Sequence, residues 1–380
     1  METTIPRLIR PPKQSFFLFG PRGTGKTTWL KAQFPQAFFI DLLEADTFRI
    51  YSARPERLRE VMGASKHKVI VIDEIQKVPQ LLSEVHSAIE KKTGVQFILT
   101  GSSSRKLKRS GVDLLGGRAL YYSLHPFMAA ELGKDFNLNN ALRYGLIPLV
   151  AGSPEPEKVL KSYAALYVRE EVQMEGLVRN IGNFSRFLEA ISFSHGEILS
   201  ISNVARECEV ERKVVESYIG ILEDLMLAYR VPVFQKRSKR AVIAHPKFYY
   251  FDVGLFRSLR PSGPLDRPEM IEGAAWEGLV AQHLTAANAY GGGKDKLYFW
   301  RTSSGTEVDF VVYGKDAFWA VEVKNTAKVR EEDLSALRAF REDYPQSEAY
   351  LVYRGTEHFV RHGINCIPCE EFLKSLNPEE

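Results

Sequence analysis

The run Gly20-Pro21-Arg22-Gly23-Thr24-Gly25-Lys26-Thr27 has the spacing G-x-x-x-x-G-K-[ST], that of a loop that wraps a phosphate. Glycines at 20, 23 and 25 let backbone N–H groups close around an anion without Cβ interference, and a helix start adds partial positive charge. Lys26 would reach the β- and γ-phosphates, Thr27 would offer its hydroxyl to Mg2+, and Thr28 would continue the nucleotide-binding turn. The competing reading is a glycine-rich hairpin with an exposed lysine. It must place Lys-Thr at a helix start by coincidence. Asp73-Glu74 closes the apolar run Lys68-Val69-Ile70-Val71-Ile72. Asp73 would hold Mg2+ through water, and Glu74 would polarise the attacking water. A second acid directly after the first favours hydrolysis over transfer to another acceptor; the plainer alternative is a helix-capping acid pair. Thr100 and Ser102, at the tip of the run 96–100, are candidates for sensing the γ-phosphate, or the serines there cap the next helix. Arg118 follows Gly116-Gly117 and is placed either as an arginine finger for a neighbouring subunit's nucleotide or as a salt-bridged surface arginine.

These residues need strands to carry them. Apolar runs at 16–19, 37–43, 68–72, 96–100 and 119–124, separated by helical stretches, predict a parallel α/β ATPase core. No Asn-Lys-x-Asp guanine reader occurs in the sequence, so ATP is preferred over GTP.

A second set of acids stands near the C-terminus: Glu277 in a helical segment, 267–290, then Asp309 and Glu322 in strands 307–313 and 318–324. The four-residue loop between those strands pairs Tyr313 with Phe318, which sets Asp309 opposite Glu322 with Lys324 on the same face. Facing like charges call for a cation. Mg2+ or Mn2+ held by Asp309, Glu322 and Glu277 would supply it, and Lys324 would orient or deprotonate a water. The alternative is a charged solvent face on a hairpin. The surrounding order, helix, three strands, helix (331–342) and strand (348–353), is similar to the PD-(D/E)XK nuclease core.

Between the two sets, 126–193 reads as a small helical lid, with aromatics at 163, 167, 184 and 187 spaced for a core. Residues 202–208, 209–211 and 212–229 read as helix, turn and longer helix. Arg230, Lys236, Arg237, Lys239, Arg240 and Lys247 follow without an intervening acid and bracket a hairpin before the strand 248–251, as in the wing of a winged helix. Such a wing binds DNA phosphates, or the module binds protein and the wing is merely soluble; Glu211, Glu216 and Glu223 on the second helix weaken a major-groove reading.

With 380 residues the chain calls for several domains. Its 51 basic and 47 acidic residues leave a formal charge of +4, too little to name a nucleic-acid partner by itself. No apolar run approaches the ~20 residues of a membrane span and no signal segment is evident, so a cytoplasmic protein is expected. Cys208, Cys366 and Cys369 lack metal or redox context and are expected to be reduced and structural.

Taken end to end, the chain resembles a widespread family of prokaryotic AAA+-like ATPases with a winged helix and a PD-(D/E)XK-related domain of unknown function. The resemblance rests on Gly20 to Thr27, Ile72-Asp73-Glu74-Ile75-Gln76, Leu99-Thr100-Gly101-Ser102-Ser103, Gly117-Arg118, the run 248–255, Glu307-Val308-Asp309-Phe310 and Glu322-Val323-Lys324. It implies an α/β fold in four parts: an ATPase core at 1–125, a helical lid at 126–195, a winged helix at 196–255 and a nuclease-like domain at 256–380. It further implies ATP hydrolysis and a homo-oligomer in which Arg118 acts in trans. The expected function is an Mg2+-dependent ATP hydrolase that controls DNA binding, with or without metal-dependent cleavage. Its rival is a nucleotide-driven switch or assembly protein that binds a partner or DNA without cutting, and a small-molecule kinase is a third, weaker reading.

Overall fold

A computed structural model describes residues 5–64, 67–102, 115–167, 172, 180–235, 245–264 and 266–378. The chain divides into two compact units: Met1–His125 with Asp224–Met226, and Pro126–Glu223 with Leu227–Glu380.

The first unit is built on five strands, β1 (Phe16–Phe19), β2 (Phe38–Asp41), β3 (Val69–Asp73), β4 (Gln96–Gly101) and β5 (Leu120–Ser123). They form one sheet in the order β2-β3-β4-β1-β5, and every pairing is parallel. All four residues of β1 are buried, as are four of the five of β3, which is why both read as unbroken apolar runs. Helices Lys26–Gln33, Ala45–Ala53, Arg57–Ala64 and Leu81–Glu90 make the crossovers, and Leu58, Leu81, Leu82 and Val85 pack with Ile40, Ile70, Ile72 and Leu99. Because β4 stands between β1 and β3, its tip lies between the phosphate loop after β1 and the acids after β3. In parallel sheets, ligands gather at this carboxyl edge, where the strand order reverses.

The second unit carries a two-stranded sheet, β6 (Ala228–Val231) with β7 (Lys247–Tyr250), and a six-stranded one. The latter contains β8 (Lys296–Arg301), β9 (Glu307–Tyr313), β10 (Phe318–Lys324), β11 (Glu348–Tyr353), β12 (Phe359–Arg361) and β13 (Ile364–Pro368), in the order β12-β13-β11-β10-β9-β8. The β9 and β10 strands are antiparallel with Tyr313 against Phe318, whereas β10, β11 and β13 run parallel. Helix Ser335–Asp343 covers one face through Leu337 and Phe340, packed with Val311, Ala320 and Leu351.

Helices Ile201–Cys208 and Arg212–Asp224 are joined by a short turn, with Glu209 in the left-handed region. The single helix expected over 212–229 stops at Asp224. Met226 turns left-handed at φ 58°, and Ala228 to Val231 leave as a strand. Tyr229 and Tyr249 stack across β6 and β7, a cross-strand contact that helical periodicity cannot register. The expected wing residues Lys236, Arg237, Lys239 and Arg240 lie outside the described residues, as does Ser103.

Asp252 caps helix Val253–Leu259, accepting from the Gly254 and Leu255 amides at 2.9 and 3.2 Å, and also accepts from the Leu146 amide at 2.8 Å. Gly145 allows this approach: its φ is +75°, and a Cβ there would stand 1.9 Å from Asp252 Oδ1. All three cysteines are free and buried. Among the described residues, no helix is long and apolar enough to cross a membrane.

Candidate functional site

The chain leaves β1 through Gly20, where a Cβ would stand 2.5 Å from the Leu124 carbonyl oxygen. It then turns through Gly23 and Gly25, both left-handed, into helix Lys26–Gln33. Gly25 caps that helix with no side-chain bond, and no acid occupies the first turn. The opening amides are thereby left to an anion. Lys26 is buried against the loop, its Nζ donating to the Gly20 and Pro21 carbonyls at 2.7 and 3.2 Å. Thr24 Oγ1 closes the same turn onto the Pro21 carbonyl at 2.8 Å. Thr28 is exposed on the first helical turn, and Arg22 is half-buried.

Thr27 Oγ1 donates to Asp73 Oδ2 at 2.6 Å, and Thr100 Oγ1 donates to Asp73 Oδ1. Three elements are thus tied together through one carboxylate at the sheet's carboxyl edge. Thr100 in turn accepts the Glu74 amide at 3.3 Å. Glu74 holds the left-handed conformation, φ 59° and ψ 47°, which directs its side chain away from the strand and starts the 3-10 turn Ile75–Lys77. The Thr27 hydroxyl and Asp73 carboxylate are adjacent hard oxygen donors, a set suited to Mg2+ beside a bound triphosphate.

Gln76 was read from sequence only as part of the Ile72 to Gln76 motif, with no role of its own. Its Nε2 donates to Glu74 Oε2 and, at 3.4 Å, to Ser102 Oγ, so it joins the acid to the β4 tip. Gly101 makes room for it: a Cβ there would stand 2.4 Å from Gln76 Oε1. A polar amide two residues after the acid pair, between the apolar Ile75 and the residues that follow, was the available signal.

Arg118 is ion-paired with Glu90, and its Nη1 donates to the Gly116 carbonyl at 3.2 Å. It precedes β5, whereas the phosphate loop follows β1. The two strands are parallel, so Arg118 lies at the opposite edge of the sheet from Lys26.

The second set of acids is brought together, but around a different cation. Lys247, on β7, is 2% exposed. Its Nζ lies 2.9 Å from Glu277 Oε1 and 3.7 Å from Asp309 Oδ1, and is bonded to Glu307. Tyr249 donates its hydroxyl to Glu277, and Arg301 Nη1 holds Glu307 at 2.9 Å. Asp309 Oδ2 accepts the Val323 amide at 2.8 Å, and Lys324 Nζ donates to Glu322 Oε1 at 2.6 Å. Burial, with the Asp309 charge added, raises the Glu322 carboxyl, and burial likewise raises that of Glu277. Burial alone would lower the Lys247 and Lys324 ammoniums, but the surrounding carboxylates reverse this and raise both.

Among the described residues no group of three or more His, Cys, Asp or Glu side chains is spaced to hold a metal ion. The Lys247 ammonium stands among Glu277, Glu307 and Asp309. Lys247 itself had been counted with the DNA-facing basic residues, and Arg230 is held by Glu223 at 2.7 Å. Burial removes the one from any phosphate, and pairing occupies the other. Glu307 had a readable signal, since it shares a face with Asp309 two residues away.

Comparison with known proteins agrees with the first unit. Residues 12–133 match the model of the AAA domain family. Residues 135–266 and 272–372 match two domains of unknown function, DUF8612 and DUF4143. Uncharacterized proteins of Mycobacterium bovis and Mycobacterium tuberculosis are each 25% identical over 375 residues, covering 96% of this chain and 82% of theirs. Among solved structures, the replication initiator DnaA bound to AMPPCP and single-stranded DNA is 15% identical, covering 55% of this chain and 82% of that one, with a TM-score of 0.29. At that score the likeness carries no argument. The first unit therefore contains an AAA-type, ATPase-like domain on a parallel sheet.

Proposed function

We propose that this chain is an Mg2+-dependent ATP hydrolase whose nucleotide state drives a switch or assembly step through a nuclease-like unit that does not cut DNA. The observation that carries the reading is the Thr27–Asp73–Thr100 connection with Glu74 beside it, at the end of a glycine loop that buries Lys26. Lys26 and the amides of Gly23 to Thr28 would bind the phosphates. Mg2+, held by Thr27 and through water by Asp73, would supply charge neutralisation at the β- and γ-oxygens. Glu74 takes the proton of the attacking water, with Gln76 and Ser102 orienting it, and Thr100 reports the γ-phosphate to β4.

The unit from 126 onward is read as a helical lid to 195, a winged helix to 255 and a PD-(D/E)XK-like domain beyond. Support for a non-cutting version comes from Lys247 among the carboxylates. DNA contact through the wing rests on Lys236, Arg237, Lys239 and Arg240, and replacing these four by alanine should lower both affinity and salt dependence, about 0.9 in slope per lost phosphate contact. Arg118 is proposed to act in trans within a homo-oligomer, leaving its pairing with Glu90 to reach a neighbour's nucleotide, since its edge of the sheet is opposite its own phosphate loop.

Phosphate release from ATP, with and without Mg2+, tests the central claim. Wild type should release phosphate only with the metal, Lys26→Ala should lose ATP binding, and Glu74→Gln should bind ATP yet hydrolyse it about 10²- to 10⁴-fold more slowly. A phosphorylated metabolite in place of free phosphate would make the chain a kinase instead.

A further inference from the structure

We propose that Lys247 is the resident cation of the C-terminal carboxylate cluster, so that the native cluster excludes divalent metal and loss of this one side chain creates a Mn2+ site. The inference is independent of ATP hydrolysis at Lys26.

Glu307 and Asp309 project from one face of β9, two residues apart, and Glu277 reaches them from helix Pro268–Tyr290. Three carboxylates gathered at a buried or half-buried place repel one another unless something positive stands between them. Lys247 meets all three from a neighbouring strand. Its distances of 2.9 and 3.7 Å to Glu277 and Asp309 are those of an ammonium. Mg2+ draws its oxygens in to about 2.0–2.1 Å. Arg301 on Glu307 adds a second positive charge, and the Tyr249 hydroxyl donates a hydrogen bond to Glu277, so these oxygens are already occupied. Remove the ammonium and the carboxylate side chains that met it are free to draw together around another cation, as an oxygen-rich cluster with two or three negative charges. That is the donor set a hard divalent cation takes.

The test uses nucleotide-free full-length protein carrying Asp73→Asn, which disables the metal position of the phosphate loop. Bound Mn2+ is counted by the loss of the free-ion electron paramagnetic resonance signal. The Lys247-containing protein should bind no Mn2+ that depends on Asp309, and Lys247→Arg, which keeps a cation, should behave the same way. Lys247→Met should bind a single Mn2+ per chain, lose it again when Asp309→Asn is added, and gain a Mn2+-dependent rise in Tm. Asp309-dependent Mn2+ binding by the protein with Lys247 intact would overturn the proposal, as would a folded Lys247→Met chain that binds none. If Lys247→Met unfolds without metal, refolding in Mn2+ supports the created site, and failure to refold in Mn2+ refutes it.

Discussion

Asp73 is the residue on which the nucleotide site turns, because two hydroxyls from two other elements converge on its carboxylate. Gln76 depends on it only indirectly: it holds Glu74 and Ser102. Gln76→Ala should therefore lower kcat by about tenfold with KM for ATP nearly unchanged, as expected for a group that orients a base rather than binds substrate. A steady-state ATP titration separates the two parameters. Glu322 offers a different test. Burial first, and the Asp309 charge second, push its carboxyl up to about 8 against the pull of Lys324. A carboxyl raised above its unfolded value of 4.5 contributes stability that is full below that pH and is lost as pH rises toward 8. Glu322→Gln should thus gain on wild type across that window in urea midpoints measured at successive pH values. The residues of the phosphate loop and the two acids after β3 were legible because their chemistry is local, written within a few positions. Gln76 and Lys247 were not, since each acquires its role from partners in other elements, 26 residues away for Ser102 and 30 for Glu277.

At the scale of elements, the strands that are buried on both faces announced themselves. The sequence reading placed β8 to β11 residue for residue, because long apolar alternation and a four-residue turn leave little freedom. It overran the helix that ends at Asp224 and passed over β12, β13 and helix Cys369–Ser375. The three-residue edge strand β12 and the five-residue β13 beside it carry too few positions, with polar residues among them, for a period to emerge. The Gly145–Asp252 contact also escaped, being an agreement between a glycine's φ and a cap more than 100 residues later. Gly145→Ala must distort the left-handed turn and displace the cap at once. About 1 kcal/mol for each suggests a loss of about 2 kcal/mol or more, measurable as a drop in the denaturant midpoint of the second unit.

For the whole molecule, the proposed trans role of Arg118 would make one chain's turnover depend on another. Arg118 lies at the far edge of its own sheet, so the proposed effect on hydrolysis would come through a neighbour. Arg118→Ala alone should reduce phosphate release by about 10³-fold or more, and mixing it with Lys26→Ala should restore part of the rate, since each chain lacks what the other retains. Unchanged hydrolysis by Arg118→Ala would return the residue to its pairing with Glu90. Sedimentation with and without a nonhydrolysable ATP analogue would report whether mass changes with nucleotide. The buried lysine of β7 has a consequence for how such chains drift over generations. A charge enclosed with three opposite charges is a shared inheritance, and an uncharged residue at 247 leaves the acids to be lost as well or to find a new counter-ion. Relatives in which that position has become neutral while the acids persist are the ones in which a bound divalent cation should be sought.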